Sequence, residues 1–148
     1  MVDIYLSGRY TEFDTEIPCA VSFIRESMRA GAIVFFVTSR YEDTQMKSTK
    51  ESLRKLRFYT NNGRGKIVLR KRGLSSIDFK KQTFEAIKNN SNINGKPTKV
   101  VFVMENEQEN MNEMNEIFQN SNGIFVKGAF QKLEPLTHKN LQIKNFCN

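Results

Sequence analysis

The chain predicts an α/β fold built on a mostly parallel sheet, and three observations carry that prediction. Residues 32–40, Ala-Ile-Val-Phe-Phe-Val-Thr-Ser-Arg, form an unbroken apolar run that stops on two hydroxyls and a guanidinium. Residues 99–104, Lys-Val-Val-Phe-Val-Met, form a second run that stops on Glu105. Between and around them lie segments with apolar residues at helical spacing. Such runs read as strands buried on both faces, and strands alternating with helices build a parallel sheet.

At 148 residues the chain is expected to be a single domain. Residues 1–16 are an atypical N-terminal segment, 17–126 the core that carries the motifs, and 127–148 a tail. Apolar content of 39% and charged content of 26% suit a soluble globular protein. No apolar run approaches the ~20 residues that span a bilayer. The first residues, with Asp3 and Glu12, hold no long apolar stretch of the signal-peptide kind. A cytoplasmic protein with no membrane partner is the expectation. Cys19 and Cys147 are isolated, without metal-ligand spacing, and read as reduced thiols.

The net charge of +7 is unevenly distributed. Residues 40–81 carry 13 Lys/Arg against 4 Asp/Glu, a local +9, which leaves −2 for the remainder. Such a block suits either a polyanion, nucleic acid included, or a solvated helix face and loop beside an anionic-substrate site. No nucleic-acid fold signature accompanies it, which favours the second and makes nucleic acid an unlikely partner.

In chain order, Val2 to Leu6 suggests a short strand, and Glu12, Asp14 and Glu16 alternate with Phe13 and Ile17 as an exposed approach segment. Pro18 is placed to open a helix, with Ala20, Val21, Phe23, Ile24 and Met28 on its apolar face and Gly31 as C-terminal cap. The strand 33–37 follows. Residues 41–49 are polar, and a second helix is expected from Thr49 to about Leu56. Asn61 to Gly65 is a turn, 66–69 a short strand, and 79–88 a helix with Phe84 and Ile87 inward. Residues 89–96 form an Asn/Ser/Gly loop. After the second apolar strand come a helix over 110–120 with Met111, Met114, Ile117 and Phe118, and a strand over 123–126. Leu133, Leu136, Leu141, Ile143 and Phe146 suit a short tail helix.

In open parallel sheets, ligands sit beyond the carboxyl ends of the strands. Thr38, Ser39 and Arg40 end one strand, and Glu105, Glu107 and Glu109 follow the other. Lys80 or Lys81 arrives from a helix N-terminus, Lys80 being the better register. Hydroxyls and a lysine suit a phosphate, and a carboxylate cluster suits a hard cation. Each group has a plainer reading as well: the hydroxyls as helix caps, the glutamates as the solvated start of a helix whose dipole favours acids.

These pieces, in this order, resemble the haloacid dehalogenase-like superfamily of phosphohydrolases. Ile17-Pro-Cys-Ala-Val-Ser-Phe-Ile24 is similar to the helix before that family's second motif, and Ala30-Gly-Ala-Ile-Val-Phe-Phe-Val-Thr-Ser-Arg40 to the second-motif strand. Residues 49–58 resemble the following helix with its Leu-Gly-Phe ending, here Leu-Arg-Phe. Phe79-Lys-Lys-Gln-Thr-Phe84 is similar to the third motif, and residues 100–110 to the fourth, reading Glu-Asn-Glu-x-x-Asn in place of Gly-Asp-x-x-x-Asp. The resemblance implies a three-layer Rossmann-like domain and Mg²⁺-dependent hydrolysis of a phosphate ester on a phosphorylated small molecule. Thr38, with Ser39 and Arg40, would bind phosphate; Lys80 would be the catalytic lysine; Glu105 and Glu109 would hold the metal.

The first motif, a hydrophobic strand ending Asp-x-Asp with the nucleophile, has no clear counterpart. Asp3-Ile-Tyr5 has the spacing, but a tyrosine stands where the second acid belongs. The chain is therefore expected to be an N-terminally truncated or degenerate hydrolase, its first strand missing or replaced. In the family's sheet that strand lies between those of the second and fourth motifs, so its loss leaves strand edges that invite pairing or homo-oligomer formation. The competing reading is a non-catalytic α/β domain that binds a polyanion through the basic region.

Overall fold

The structure is a computed structural model and describes residues 14–58, 63–90, 92–93, 96–97, 99–127 and 140–147, with backbone alone at 92–93 and 96–97. Its described elements, in chain order, are α1 (Ala20–Arg29), β1 (Val34–Tyr41), α2 (Glu42–Lys55), β2 (Gly65–Arg70), α3 (Ser76–Asn89), β3 (Asn92–Ile93), β4 (Lys96–Pro97), β5 (Phe102–Glu105), α4 (Gln108–Ile117), β6 (Asn122–Val126) and β7 (Leu141–Ile143). The fold is α/β with parallel pairing, as the alternation of strands and helices requires. Two compact units divide it: Met1–Ser76 with Asn145–Asn148, and Ile77–Lys144.

The first unit is a strand–helix–strand crossover. β1 and β2 pair in parallel from Val34↔Gly65 to Thr38↔Leu69, and α2 packs against both. The register then slips, Tyr41 facing Arg70, so that Ser39 and Arg40 bulge out of the ladder. Among the described residues β1 pairs with β2 alone. That is why its apolar run is only half-buried, with Phe35 37% exposed, rather than covered on both faces as the run predicted.

Helix α1 buries Ala20, Val21, Ile24 and Met28, the predicted apolar face. It starts two residues after Pro18, at a left-handed Cys19 (φ 64°). Glu16 accepts the Val21 backbone N–H at 2.9 Å and so caps the first turn. The approach segment is thus not merely solvated. The other end closes as a Schellman motif, the Gly31 N–H reaching the Met28 carbonyl and the Ala32 N–H that of Ser27, with Gly31 at φ 102°.

Helix α2 begins at Glu42, seven residues ahead of the predicted start at Thr49. Its inward residues are Gln45, Thr49 and Ser52, spaced four and three apart and all buried. A polar buried stripe has no apolar periodicity, so hydropathy hides the helix. Glu42 and Asp43 in the first turn and Arg54 and Lys55 in the last suit the helix dipole. It too ends in a Schellman motif, from the Arg57 N–H to Arg54 and the Phe58 N–H to Leu53. Here the left-handed position, φ 65°, is held by Arg57, where a glycine would avoid the Cβ clash.

Cys19 and Cys147 form a disulfide, with Cα atoms 5.1 Å apart. This corrects the expectation of two isolated thiols. They are 128 residues apart in sequence and only chain folding brings them together. Beside it Phe146 packs on Phe23, centroids 5.2 Å apart, and its N–H donates to the Pro18 carbonyl. The predicted tail helix is also corrected. Leu141–Ile143 is a strand, because it pairs in parallel with β6, and Leu133 and Leu136 lie outside the described residues.

The second unit repeats the crossover. β5 pairs in parallel with β6, and β6 with β7; α4 packs on β5 and β6. The strand predicted over 99–104 is observed at 102–105, and Val101 before it is 52% exposed. The core gathers Phe79, Phe84, Val103, Met111, Ile117, Phe118 and Phe125. Gly123 lies in β6 beneath a reciprocal amide pair of Asn115 and Asn140, both bonds 2.9 Å. A Cβ there would stand 1.9 Å from the Asn140 amide nitrogen, so any side chain would have to displace the amide pair. The loop expected over 89–96 contains a short antiparallel pair, β3 with β4.

Candidate functional site

In the second unit, the first turns of α3 place Lys80 on the inward face, next to Phe79 and one turn before Phe84. β5 ends on Glu105, the point where its apolar run becomes polar. The Lys80 Nζ donates to Glu105 Oε2 at 3.0 Å, the two side chains only 10% and 12% exposed. Glu105 Oε1 accepts the backbone N–H groups of Asn106 and Glu107 at 2.9 and 3.3 Å. Glu107 stands 3.8 Å from the ammonium and accepts the Asn110 side-chain amide. Lys80, Glu105, Glu107 and Asn110 thus form one network at the carboxyl end of β5.

Helical register separates the two candidate lysines. Lys81 is more than half exposed and pairs with Glu113 at 3.2 Å. Glu109 is exposed in the first turn of α4, where an acid suits the helix dipole.

A divalent cation takes six or more oxygen ligands, commonly with several carboxylates among them. Here both Glu105 oxygens already accept hydrogen bonds from Lys80 and the backbone. Among the described residues no group of three or more His, Cys, Asp or Glu is arranged to hold a metal ion. Among the described residues the donor set by itself falls short of a divalent site.

In the first unit, the bulge at the end of β1 turns Ser39 and Arg40 out of register. The Thr38 hydroxyl accepts the Arg40 backbone N–H at a weak 3.4 Å. The Ser39 hydroxyl bonds that of Ser76. Arg40 Nη2 meets both Asp14 oxygens, at 2.9 and 2.8 Å, and Asp14 also accepts the Ser52 hydroxyl at 2.9 Å. Neither hydroxyl caps α2: its N-cap is Tyr41, whose N–H donates to Gln45 Oε1 at 2.7 Å. Arg70 donates to the Ser39 carbonyl at 3.1 Å and lies over the Tyr41 ring at 4.3 Å.

Of the predicted site residues, Lys80 and Glu105 meet directly. Thr38, Ser39 and Arg40 stand together in the first unit, and Lys80, Glu105 and Glu109 belong to the second. Asp3 lies outside the described residues. Sequence reasoning missed Asp14 and the stripe of Gln45, Thr49 and Ser52. The stripe had a signal, three uncharged polar residues at helical spacing among charged neighbours. Asp14 had none, since it meets Arg40 only through the fold.

The described residues contain no helix long and apolar enough to cross a membrane. Comparison with protein-family models, curated proteins and solved structures gives no match.

Proposed function

We propose that the chain is a degenerate haloacid dehalogenase-like domain, a Rossmann-like relative of phosphate-ester hydrolases that keeps the lysine–carboxylate half of the reaction centre as a closed ion pair. The observation that carries this reading is the buried Lys80–Glu105 pair. It joins the lysine of the third-motif resemblance to the acid of the fourth-motif variant, two pieces 25 residues apart in sequence. Strand pairing adds support. β1 pairs in parallel with β2 and β5 with β6, as the strands of the second- and fourth-motif resemblances would in a Rossmann-like domain.

Hydrolysis of this type passes the phosphoryl group to a carboxylate nucleophile. A catalytic lysine must be free to face that carboxylate and the phosphate. Lys80 instead neutralises Glu105, and Glu105 is saturated by hydrogen bonds that a metal ligand would forgo. The arrangement suits a charge-compensated core more than a turnover site. Incubation with p-nitrophenyl phosphate, with and without Mg²⁺, tests this. No Mg²⁺-dependent hydrolysis is expected; Mg²⁺-dependent turnover abolished by Asp3→Asn would show a competent nucleophile and overturn the reading.

Polyanion binding through the basic region draws less support. Arg40, Arg72, Lys80 and Lys81 each already face a carboxylate. Salt-dependent retention of nucleic acid would revive it. The compartment bears on the disulfide, which persists under oxidising conditions and opens to two thiols in a reducing cytoplasm.

A further inference from the structure

A cleft of about 360 Å³ opens in the first unit between α1 and the end of α2. Val21 and Leu56 are among its lining residues, with Arg25, Arg29 and Arg57. The carboxylates beside them are already engaged: Glu16 caps the Val21 N–H and Glu26 bonds Arg29. Arg25 and Arg57 have no side-chain ion pair or hydrogen bond among the described residues. Among the described residues, two unpaired guanidinium groups thus line a concave surface with an apolar part.

The backbone makes Arg57 unusual. It holds the left-handed C′ position of a Schellman motif at φ 65°. Glycine is the usual occupant there because it has no Cβ to clash. Side chains kept against such a backbone preference gather where the side chain itself has a use. A guanidinium presents paired donors that match a tetrahedral oxyanion, and it stays charged at every accessible pH.

We propose that this cleft is an oxyanion site for the phosphate group of a small phosphorylated molecule, with Arg25 and Arg57 as its ligands. The site is independent of the Lys80–Glu105 centre and stands or falls separately from the reading of that centre.

The test uses the full chain, titrated with inorganic phosphate by calorimetry or amide-shift mapping, chloride holding the ionic strength constant. Saturable binding is expected, with shifts at residues of α1 and at Leu56 and Arg57. Arg25→Gln is expected to weaken it about tenfold or more. Arg57→Gly is expected to weaken it equally while raising Tm by about 3 °C without phosphate, since glycine relieves the left-handed strain. That opposite movement of affinity and stability is what a merely structural arginine would not produce. Malonate in place of phosphate separates the two oxyanion classes, and equal binding of both would overturn the phosphate assignment. The proposal is also overturned if phosphate acts only through ionic strength, or if Arg57→Gly raises Tm and leaves affinity unchanged.

Discussion

The two units use the same device, a parallel strand–helix–strand crossover with a charged pair near the carboxyl end of its first strand, and treat the pair differently. In the first unit Arg40 meets Asp14 with side chains 26% and 30% exposed, and Ser52 shares the carboxylate. In the second, Lys80 meets Glu105 at 10% and 12% exposed, and backbone N–H groups complete the carboxylate. Water can reach the first pair if one partner is lost. It reaches the second far less. Burial, more than distance, sets what each pair is worth, because a stranded charge is costly only where solvent cannot take over.

The largest expected effect is therefore at Lys80. Lys80→Met strands the Glu105 carboxylate and should cost about 3–5 kcal/mol in urea unfolding, whereas Lys80→Met with Glu105→Leu should recover most of it. Arg40→Met, on the more exposed pair, should cost about 1–2 kcal/mol. Equal losses for the two single variants would show that burial does not separate the pairs.

A smaller effect, of opposite sign, is expected within the polar stripe of α2. Among the described residues the buried Thr49 hydroxyl has no hydrogen-bond partner, while Gln45 and Ser52 on either side have theirs. Thr49→Val keeps the shape and removes the unsatisfied oxygen, so stability should rise by about 1 kcal/mol. A loss would reveal a polar contact that the hydroxyl makes when the protein moves.

The smallest effect lies at the surface. The hydrogen bond from Arg72 holds the Asp43 carboxyl below its ordinary value of 3.8. A depressed folded-state value contributes stability above the unfolded value and loses it as pH falls through the folded one. The contribution is thus present at neutral pH and disappears only in acid, below about pH 4. Both groups are exposed, so salt should erase it. Acid unfolding of wild type and Asp43→Asn should differ at low ionic strength and coincide at high.

Much of the fold was legible in local sequence, and the exceptions are instructive. Helices α1, α3 and α4 show their inward residues as apolar periodicity, so Ile24, Phe84 and Met111 were placed correctly. The first half of α2 was invisible because its buried face is polar. The two apolar runs were recognised as strands but not as half-exposed ones. Hydropathy reports what a strand is made of, and burial depends on which strands flank it. Within the candidate site, Lys80 and Glu105 were both nominated, yet their mutual pairing, which changes what each can do, was not. Arg57 holds a left-handed φ at the end of α2, a conformation that glycine usually supplies and that no local pattern around an arginine announces.

By itself the sequence determined the α/β class, the order of elements and the stops that punctuate them, because periodicity, Gly31 and polar strand ends act within a few residues of chain. Tertiary structure alone decided the rest. It closed Cys19 on Cys147, chose Lys80 over Lys81 for burial, and set Asp14 against Arg40. These are contacts between residues 25 or more apart in sequence, whose formation and strength depend on what the folded chain brings within reach and shields from water.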